Sequence, residues 1–560
     1  MRALAGWFVL ALLVRGLTAA AVTGPGFADA AYALHVAGAL VSGKGLTEEV
    51  VWNYLTPPAG LLPRPSNAYW PPGPALFAAA GAALLPDALP LWRRAQALPV
   101  LGAALLVAAA YALALRAAPG PGARRRAATT AALVLGGGIY FPYWVTADSF
   151  TPFALTGVAV LWLAARAAGD RPGGRGCPAT VGRALFAAGL LAGLAQAIRA
   201  DGLLLLVAPL AVAAGRRSAR GALLALAGAA AGALPLALRA ALTWGTPFPP
   251  GAGAALWLTA YDDLFRFGAA PDAARWLAAG PAAALAARGH ALLANLAVLG
   301  QPVLYWALPL TVAGAWRSRG AALTRVALLY LLALYLTMSL LFPFQGARGG
   351  LFHSLAALVP AIALWTAQGL EGVVAWGAAR RRWPEAQAQT VFAAALAGLT
   401  LLSGLAFGAG LVRRWEAQAG SNAAAGAWLA ARTPPGTRLM AVDPTGLWYA
   451  TGRSAVVVPA DGPQALLAAA AAYRVDYVLL QPYWPEYLAP VYDGVADLPG
   501  LEHLADAGAL RIYRVAGSSA PGAAAAAADA AAAPAQTLTG SRSDAGSAAS
   551  SPAAVVPSRG

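Results

Sequence analysis

Long apolar runs, separated by short polar segments, make up most of this chain. About 20 residues of α-helix cross the roughly 30 Å hydrocarbon layer of a bilayer, so runs of that length predict membrane-spanning helices. The first run could instead be a signal peptide, but Arg15 interrupts its apolar core, which favours a retained helix. The pattern predicts about eleven spans, at residues 3–22, 93–116, 127–146, 149–167, 183–198, 202–215, 219–238, 291–313, 321–342, 352–377 and 388–412.

A polar, proline-rich segment, residues 24–92, separates the first two spans. Residues 29–40 within it have the periodicity of an amphipathic helix. The apolar run at residues 73–85 spans about 13 residues, too few to cross the hydrocarbon layer. We therefore predict a long outer loop with amphipathic helices, of which the one at 73–85 lies on the membrane surface.

The charge pattern predicts which ends of the spans face the cytoplasm. The chain has 39 Lys and Arg against 23 Asp and Glu, a net charge of +16. Cytoplasmic loops of membrane proteins hold the excess Lys and Arg, which anchor them to an anionic leaflet. If the N-terminus lies inside, eleven spans place the C-terminal region outside. Because the inner leaflet accounts for the excess arginine, we expect no nucleic-acid partner. The predicted cytoplasmic arginines are Arg116, Arg124, Arg125, Arg126, Arg166, Arg171, Arg175, Arg183, Arg216, Arg217, Arg220, Arg317, Arg319, Arg325, Arg380, Arg381 and Arg382.

The composition changes after about residue 412. A helix is predicted to begin at Ser421 or Asn422, both good N-cap residues. Residues 413–515 are predicted to form a small α/β domain on the outer side, and residues 516–560, rich in Ala, Ser, Gly and Pro, a disordered tail. The predicted strands and the helix between them are Leu439–Val442, Ala455–Val458, Gly462–Tyr473, Tyr477–Leu480 and Leu510–Val515.

Two acids on the predicted outer side are candidates for chemistry. Asp29 opens the amphipathic helix, where Tyr32 shares its face and His35 lies within two turns. Asp148 falls in a very short turn between two spans. A partly desolvated carboxylate at a membrane edge can take a proton from an alcohol or orient a cation. Alternatively, each acid only stabilises a helix N-terminus.

Several cations are open to two interpretations. Arg15, inside the first span, either binds a phosphate or extends to the outer headgroups. Arg348 and His353 bracket two glycines in an outer loop, where an arginine suits either a phosphate or a headgroup. Arg199 and Asp201 suggest a local ion pair. The neighbouring acids at 262–263 could hold a divalent ion, although a solvated loop is the simpler interpretation.

Taken in order, these elements resemble the integral-membrane GT-C glycosyltransferases that use polyprenyl-phosphate-linked sugars, such as protein O-mannosyltransferases and the aminoarabinose transferases of lipid A. The resemblance covers about residues 1–412 and implies a mainly α fold, a polytopic transmembrane bundle of GT-C type with a small non-cytoplasmic C-terminal α/β domain. It rests on Asp29–Tyr32, Tyr69–Pro74, Arg94, Thr146–Ser149, Ile198–Gly202, Trp244–Pro250 and Gly349–Ser354.

The resemblance implies an inverting transfer of a sugar from a polyprenyl-phosphate donor to a protein, lipid or glycan acceptor outside the plasma membrane. Asp29 would be the general base and Asp148 the second catalytic acid. A divalent cation could take part, but the sequence does not require one. Substrate- or phosphate-binding roles are implied for Arg15, Tyr32, His35, Arg94, Arg348 and His353.

Two departures from the family pattern leave other functions open. Ala30 stands where many relatives have a second carboxylate, and Lys44 is poorly placed to replace their phosphate-binding lysine. A lipid-linked sugar flippase is one alternative, although it would favour acids near mid-membrane. An inactive scaffold for envelope assembly is another, which would favour a wide separation of the two acids.

Overall fold

The structure of the chain is a computed structural model that describes residues 2–56, 62–169, 178–482 and 485–517. Residues 518–560 of the predicted tail lie outside the described residues, as do Arg171 and Arg175 of one predicted loop. The helices before the outer domain are α1 Arg2–Ala21, α2 Ala28–Val41, α3 Gly73–Ala82, α4 Leu91–Ala95, α5 Ala97–Ala117, α6 Ala123–Gly136, α7 Phe150–Ala168, α8 Pro178–Ile198, α9 Val207–Gly215, α10 Ala219–Trp244, α11 Pro250–Ala254, α12 Ala273–Ala278, α13 Gly280–Val298, α14 Leu308–Arg317, α15 Ala322–Leu336, α16 Pro343–Gln345, α17 Leu351–Leu355, α18 Val359–Arg381 and α19 Glu385–Arg432.

Nine helical segments within the described ranges are long and apolar enough to cross a membrane. Two of the eleven predicted spans fall short of that length. The span predicted at 127–146 consists of α6 followed by short 3₁₀ turns, and the one at 202–215 is a 3₁₀ turn leading into α9. The span predicted at 291–313 is two helices, because Leu304 and Tyr305 have left-handed backbone conformations that separate α13 from α14.

Arg15 lies inside the bundle, where its guanidinium binds carbonyls of the protein. Its Nη2 donates hydrogen bonds to the carbonyls of Val134 (3.0 Å) and Leu135 (2.9 Å), and its Nη1 to that of Phe141 (3.3 Å). The last carbonyls of a helix lack hydrogen-bond donors within that helix. Arg15 is the donor for two of these carbonyls where α6 ends at Gly136. The side chain is 1% exposed, so the structure gives no support to either role predicted for Arg15, phosphate binding or extension to the headgroups.

Small residues bring the spans close together. A Cβ at Gly189 of α8 would lie 2.0 Å from the Ala225 carbonyl oxygen of α10, and one at Gly232 of α10 would lie 2.2 Å from the Leu190 oxygen of α8. Such contacts take the place of the hydrophobic effect, which cannot drive helix association in lipid. They fix the positions of the helices that support the site.

The C-terminal part of the chain is an α/β sheet layered with helices, and the strands predicted for it are confirmed within one residue. Its elements, with the small ladder of the loop between α1 and α5, are β1 Thr47–Glu48, β2 Val50–Val51, β3 Arg64–Pro65, β4 Leu439–Ala441, α20 Pro444–Thr451, β5 Ala455–Val457, α21 Pro463–Tyr473, β6 Tyr477–Leu480, α22 Ala489–Tyr492, β7 Leu501–Ala507 and β8 Leu510–Val515. Strand order in the main sheet is β2-β5-β4-β6-β8-β7. Strands β2, β5, β4 and β6 are parallel, and β8 pairs antiparallel with both β6 and β7.

Two features contradict a clean division at residue 412. Helix α19 runs through that point for 48 residues, about 72 Å at 1.5 Å per residue. Ser421 and Asn422 therefore lie inside a helix and do not begin one, because the apolar face of α19 continues onto the sheet. The edge strand β2 comes from the loop between α1 and α5, and Val50 pairs with Ala455. The N-terminal loop and the C-terminal region thus build one sheet.

The two ends of α7 differ in chemistry. Asp148 and Ser149 precede its first residue, whereas Arg216 donates to the Ala167 carbonyl (3.1 Å) at its last turn. Nineteen residues of helix separate these ends by about 28 Å. The candidate acid and an arginine predicted to be cytoplasmic therefore lie at opposite ends of α7.

Candidate functional site

Asp29, Asp148 and His353 meet at one end of the bundle. His353 Nε2 lies 3.9 Å from Asp29 Oδ2, and His353 Nδ1 lies 3.3 Å from Asp148 Oδ2. One ligand atom from each of the three side chains lies within 4.8 Å of the others. Residues more than 300 positions apart in the chain are thus brought into one cluster by helix packing.

Three separate elements supply this cluster. Asp29 lies in the first turn of α2, whose N-cap residue is Phe27. Asp148 lies in the turn before α7, whose N-cap residue is Ser149. Neither N-cap residue makes a side-chain capping hydrogen bond, and neither acid occupies the cap position. The two carboxylates are therefore not N-caps, although Asp29 lies in a first turn, where the helix dipole favours an anion.

The imidazole of His353 is held between the two acids. Its ring stacks on Phe150 with centroids 4.2 Å apart, and its Nδ1 lies 3.3 Å from Ser149 Oγ. Asp148 Oδ2 is buried and, among the described residues, has no hydrogen-bond partner; it lies 3.3 Å from His353 Nδ1. A buried carboxylate oxygen without a partner is unusual and needs an explanation such as an ion or ligand.

The environment of Asp29 makes its carboxyl less acidic. Burial raises the pKa of Asp29 to about 6, and the charges of Asp148 and Asp443 act in the same direction. His353 and Arg199 oppose this shift, since positive charge favours the carboxylate. The side chain is nevertheless 35% exposed, so a substrate can reach it.

Arg199 is closer to the site than a local ion pair would require. The predicted pair is confirmed, with Nε 3.1 Å from Asp201 Oδ1. The same guanidinium also donates to Ser354 Oγ (2.8 Å), the Gly350 carbonyl (3.2 Å) and Ser149 Oγ (3.5 Å). It therefore ties the turn that carries Asp148 to the helix that carries His353. The local spacing of Arg199 and Asp201 gave no sign of these contacts.

Three other predicted binding residues lie in structural contacts. The Tyr32 hydroxyl donates to Glu48, and the Glu49 N–H donates to His35 Nε2 (2.8 Å). Burial lowers the pKa of His35 to about 3, which keeps the ring neutral. Arg94 is paired with Asp87. The structure does not bring Tyr32, His35 or Arg94 into the cluster, because each has a partner in the segment between α1 and α5.

Arg348 lies on an irregular segment, five positions before His353 in the chain. It occupies a π-helical turn between α16 and α17 that has non-helical angles at Arg348 and Gly349. Its guanidinium lies 5.0 Å from the ring centroid of Tyr261. Burial raises the pKa of Tyr261, as do Tyr69 and Asp29, while Arg348 lowers it. Tyr261 thus stands within electrostatic reach of both Asp29 and the arginine.

The neighbouring acid pair has a different role. The carboxylate of Asp263 accepts hydrogen bonds from the N–H of Thr259 (2.7 Å) and of Ala260 (3.0 Å), and it pairs with Arg275. These contacts close the loop on itself, so Asp263 is held by protein groups and the divalent-ion interpretation of residues 262–263 gains no support.

The cluster has the donor chemistry of a divalent cation site. Two carboxylates and one imidazole suit a divalent metal ion of intermediate hardness, and the unpartnered Asp148 Oδ2 is a ready ligand. The residues present therefore fit a cation held by Asp29, Asp148 and His353.

Comparisons with known proteins bear on the fold. No family model matches the sequence, and no curated protein matches it. ArnT from Cupriavidus metallidurans bound to undecaprenyl phosphate superposes with a TM-score of 0.55 at 14% identity, covering 92% of this chain and 98% of that chain. The oligosaccharyltransferase of Archaeoglobus fulgidus in complex with zinc and sulfate gives 0.52 at 13% identity, covering 87% and 69%.

The chain has the GT-C fold. The apo state of ArnT agrees, with a TM-score of 0.52 at 15% identity over 91% of this chain and 98% of that chain. The GT-C fold confirms the mainly α, polytopic architecture with a C-terminal α/β region, and together with the nine apolar segments found among the described residues it shows a multi-pass membrane protein.

Proposed function

We propose that this protein is a membrane glycosyltransferase that moves a sugar from a polyprenyl-phosphate donor to an acceptor on the non-cytoplasmic side of the plasma membrane. The observation that carries the proposal is the cluster of Asp29, Asp148 and His353 at one end of a GT-C bundle. A donor with a lipid tail stays in the bilayer, so its enzyme needs a reactive group at the membrane edge.

The proposed reaction is a single displacement with inversion at the anomeric carbon. Asp29 takes the proton from the acceptor hydroxyl while that oxygen forms a bond to the anomeric carbon. The bond from this carbon to the phosphate oxygen breaks, and polyprenyl phosphate leaves with the electron pair. A base with a pKa of about 6 is well matched to this task near neutral pH, because it is mostly ionised yet still basic.

Charge at the leaving group is the second requirement. Polyprenyl phosphate gains negative charge as it leaves, and preorganised positive groups stabilise that charge best in a site with little water. Arg348, on its irregular turn beside Tyr261, is the residue we assign to the phosphate. Asp148 and His353 would hold a divalent cation beside Asp29, and when bound this cation would supply further positive charge.

The separation of the acids speaks against an inactive scaffold. Such a protein has no need to keep two carboxylates together, whereas ligand atoms of Asp29 and Asp148 lie within 4.8 Å here. Burying like charges at that distance is unfavourable without a ligand or a proton. We infer that the arrangement is kept for chemistry.

The test is reconstitution of the full chain in liposomes that contain a polyprenyl-phosphate sugar and a mixture of glycan, lipid and peptide acceptors. Release of polyprenyl phosphate together with sugar on an acceptor supports the proposal. Absence of release with every donor, from a protein that retains its fold, overturns it. Asp262→Asn is a matched control, since this neighbouring outer-loop acid is not part of the cluster.

A further inference from the structure

An indole from the C-terminal part of the chain packs against the start of the helix that carries Asp29. The ring centroid of Trp415, on α19, lies 5.5 Å from that of Phe27 and 5.4 Å from that of Tyr143. Phe27 is the N-cap residue of α2 and precedes Asp29 by two positions. Any shift of this indole is therefore passed to the first turn of α2.

The link between α1 and α2 is shaped to receive this indole. Gly26 has a φ of +91°, and a Cβ there would lie 2.7 Å from Trp415 Cε3, so only glycine allows the contact. Next to it, the hydroxyl of Thr23 donates to Glu416 Oε1 (3.2 Å). Two successive residues of α19 thus hold this short link.

Tyr143 extends the same contact to the other two members of the cluster. Its ring centroid lies 5.3 Å from Phe27, 4.8 Å from Phe150 and 5.5 Å from Phe352. Phe150 follows Asp148 by two positions, and Phe352 immediately precedes His353. Tyr143 is 2% exposed, and Trp415 packs against its ring. One aromatic group therefore joins all three elements of the site.

The outer domain holds α2 at a second point. The ring centroid of Trp448 of α20 lies 4.2 Å from that of His35, and a Cβ at Gly24 would lie 3.6 Å from Tyr449 Cε1. The helix of Asp29 is thus held by α19 near its start and by α20 along its length. Asp29 and Asp148 are far apart in the chain, so only such packing can fix their relative positions.

We propose that Trp415 is a positioning residue, whose indole sets the place of Asp29 relative to Asp148 and His353 by packing on Phe27 and Tyr143. This inference rests on the proposed function and assigns a role within it to α19 and the outer domain. Trp415 reaches the reacting groups only through other residues. Misplacement of a reacting group by about 1 Å can cost roughly 100-fold in rate, so even a small cavity at this position matters.

The experiment compares three variants of the full chain in the liposome assay. Trp415→Leu removes the aromatic ring, and Trp415→Phe retains one. Trp428→Leu is the matched control, because Trp428 lies 13 residues further along the same helix, with its ring 6.2 Å from that of Tyr477 in the outer domain. Both kcat and KM are measured, together with the melting temperature of each purified variant.

We expect Trp415→Leu to lower kcat by about 10- to 100-fold with KM within about threefold, because a misplaced base weakens the transition state and leaves substrate binding intact. Trp415→Phe should restore kcat to within about threefold of the wild type. The control Trp428→Leu should leave both constants unchanged. If Trp415→Leu fails to fold, Phe27→Leu tests the same contact from the other side with the same expected split.

Three results overturn the inference. Unchanged kcat in Trp415→Leu or, where that variant does not fold, in Phe27→Leu removes the positioning role alone. Equal losses in Trp415→Leu and Trp428→Leu show general destabilisation of α19, which also contradicts the inference. A folded wild type that transfers no sugar overturns the proposed function, and the positioning role falls with it.

Discussion

Helix α2 contributes one residue to each of two polar clusters, Tyr32 to the first and Asp29 to the second, and the clusters differ in how fully their carboxylate oxygens are paired. In the first cluster, the Tyr32 hydroxyl donates to Glu48 and accepts from the Asn67 N–H (2.8 Å), while Arg64 Nε lies 2.7 Å from Glu48 Oε1. In the second, Asp29, Asp148 and His353 stand 3.3 to 3.9 Å apart. Asp148 Oδ2 has no hydrogen-bond partner among the described residues.

The difference separates structural charge from functional charge. A buried ion pair whose oxygens all have partners holds the loop in place and offers nothing to a ligand. A cluster with long separations and an unpartnered oxygen costs stability unless something binds there. Both clusters carry acids on the predicted outer side, and only the structure shows which one is incomplete.

The largest expected effect is on activity in the incomplete cluster. Asp29→Asn removes the proposed base and should lower kcat by about 10²- to 10⁴-fold, the usual contribution of general base catalysis. The rate of polyprenyl-phosphate release in liposomes measures this. The matched change Asp262→Asn should keep the wild-type rate, and full turnover by Asp29→Asn would exclude Asp29 as the base.

The next largest effect should be on stability in the complete cluster. Glu48→Ala leaves the buried cation of Arg64 unpaired, which typically costs about 3–5 kcal/mol. Thermal unfolding of the purified protein measures this change. The rate per folded molecule should remain close to that of the wild type. Loss of activity without loss of stability would mean that the complete cluster belongs to the site.

The pH dependence sharpens the comparison further. Because the pKa of Asp29 is raised to about 6, the carboxyl is protonated below that pH, and the rate should fall about tenfold per unit there and level off above it. The raised pKa has the opposite effect on stability: acid lowers the rate but favours the folded state. The folded state holds this proton more tightly than the unfolded chain, so the contribution of Asp29 to stability is lost as the pH rises through about 6. A flat rate profile between pH 5 and 7 would contradict the assignment.

The smallest effect should come from Tyr32→Phe. The change removes one hydroxyl and leaves one Glu48 oxygen and the Asn67 N–H with one partner fewer, which typically costs about 1–3 kcal/mol of stability. Denaturation curves of the variant and the wild type measure it. A loss of kcat that exceeds the loss of folded protein would show that Tyr32 acts in the catalytic site.

The sequence was sufficient to predict the class of fold, the helix that carries Asp29 and a binding role for His353. Apolar run lengths and arginine placement predicted a polytopic bundle, and the periodicity at residues 29–40 predicted the helix that carries Asp29. His353 was named as a binding residue because it follows an arginine and two glycines. Each of these signals is local, so a single chain segment is enough to read it.

What the sequence could not give was the partner of each polar group. Arg15 was taken for a phosphate or headgroup ligand, although it binds the carbonyls at the end of α6, more than 100 residues away. Arg199 was taken for a local pair, although it also reaches Ser354. Trp415 carried no signal at all, because an aromatic residue in a long helix is typical of any membrane edge. Such contacts depend on packing between distant segments.

The most direct test of the central claim is the fate of a labelled sugar in liposomes that contain the wild-type protein and a polyprenyl-phosphate donor. The account predicts one molecule of polyprenyl phosphate released for each sugar recovered on the acceptor, with neither formed by Asp29→Asn. Passage of the intact lipid-linked sugar to the other leaflet, without release of polyprenyl phosphate, would contradict it and support a flippase.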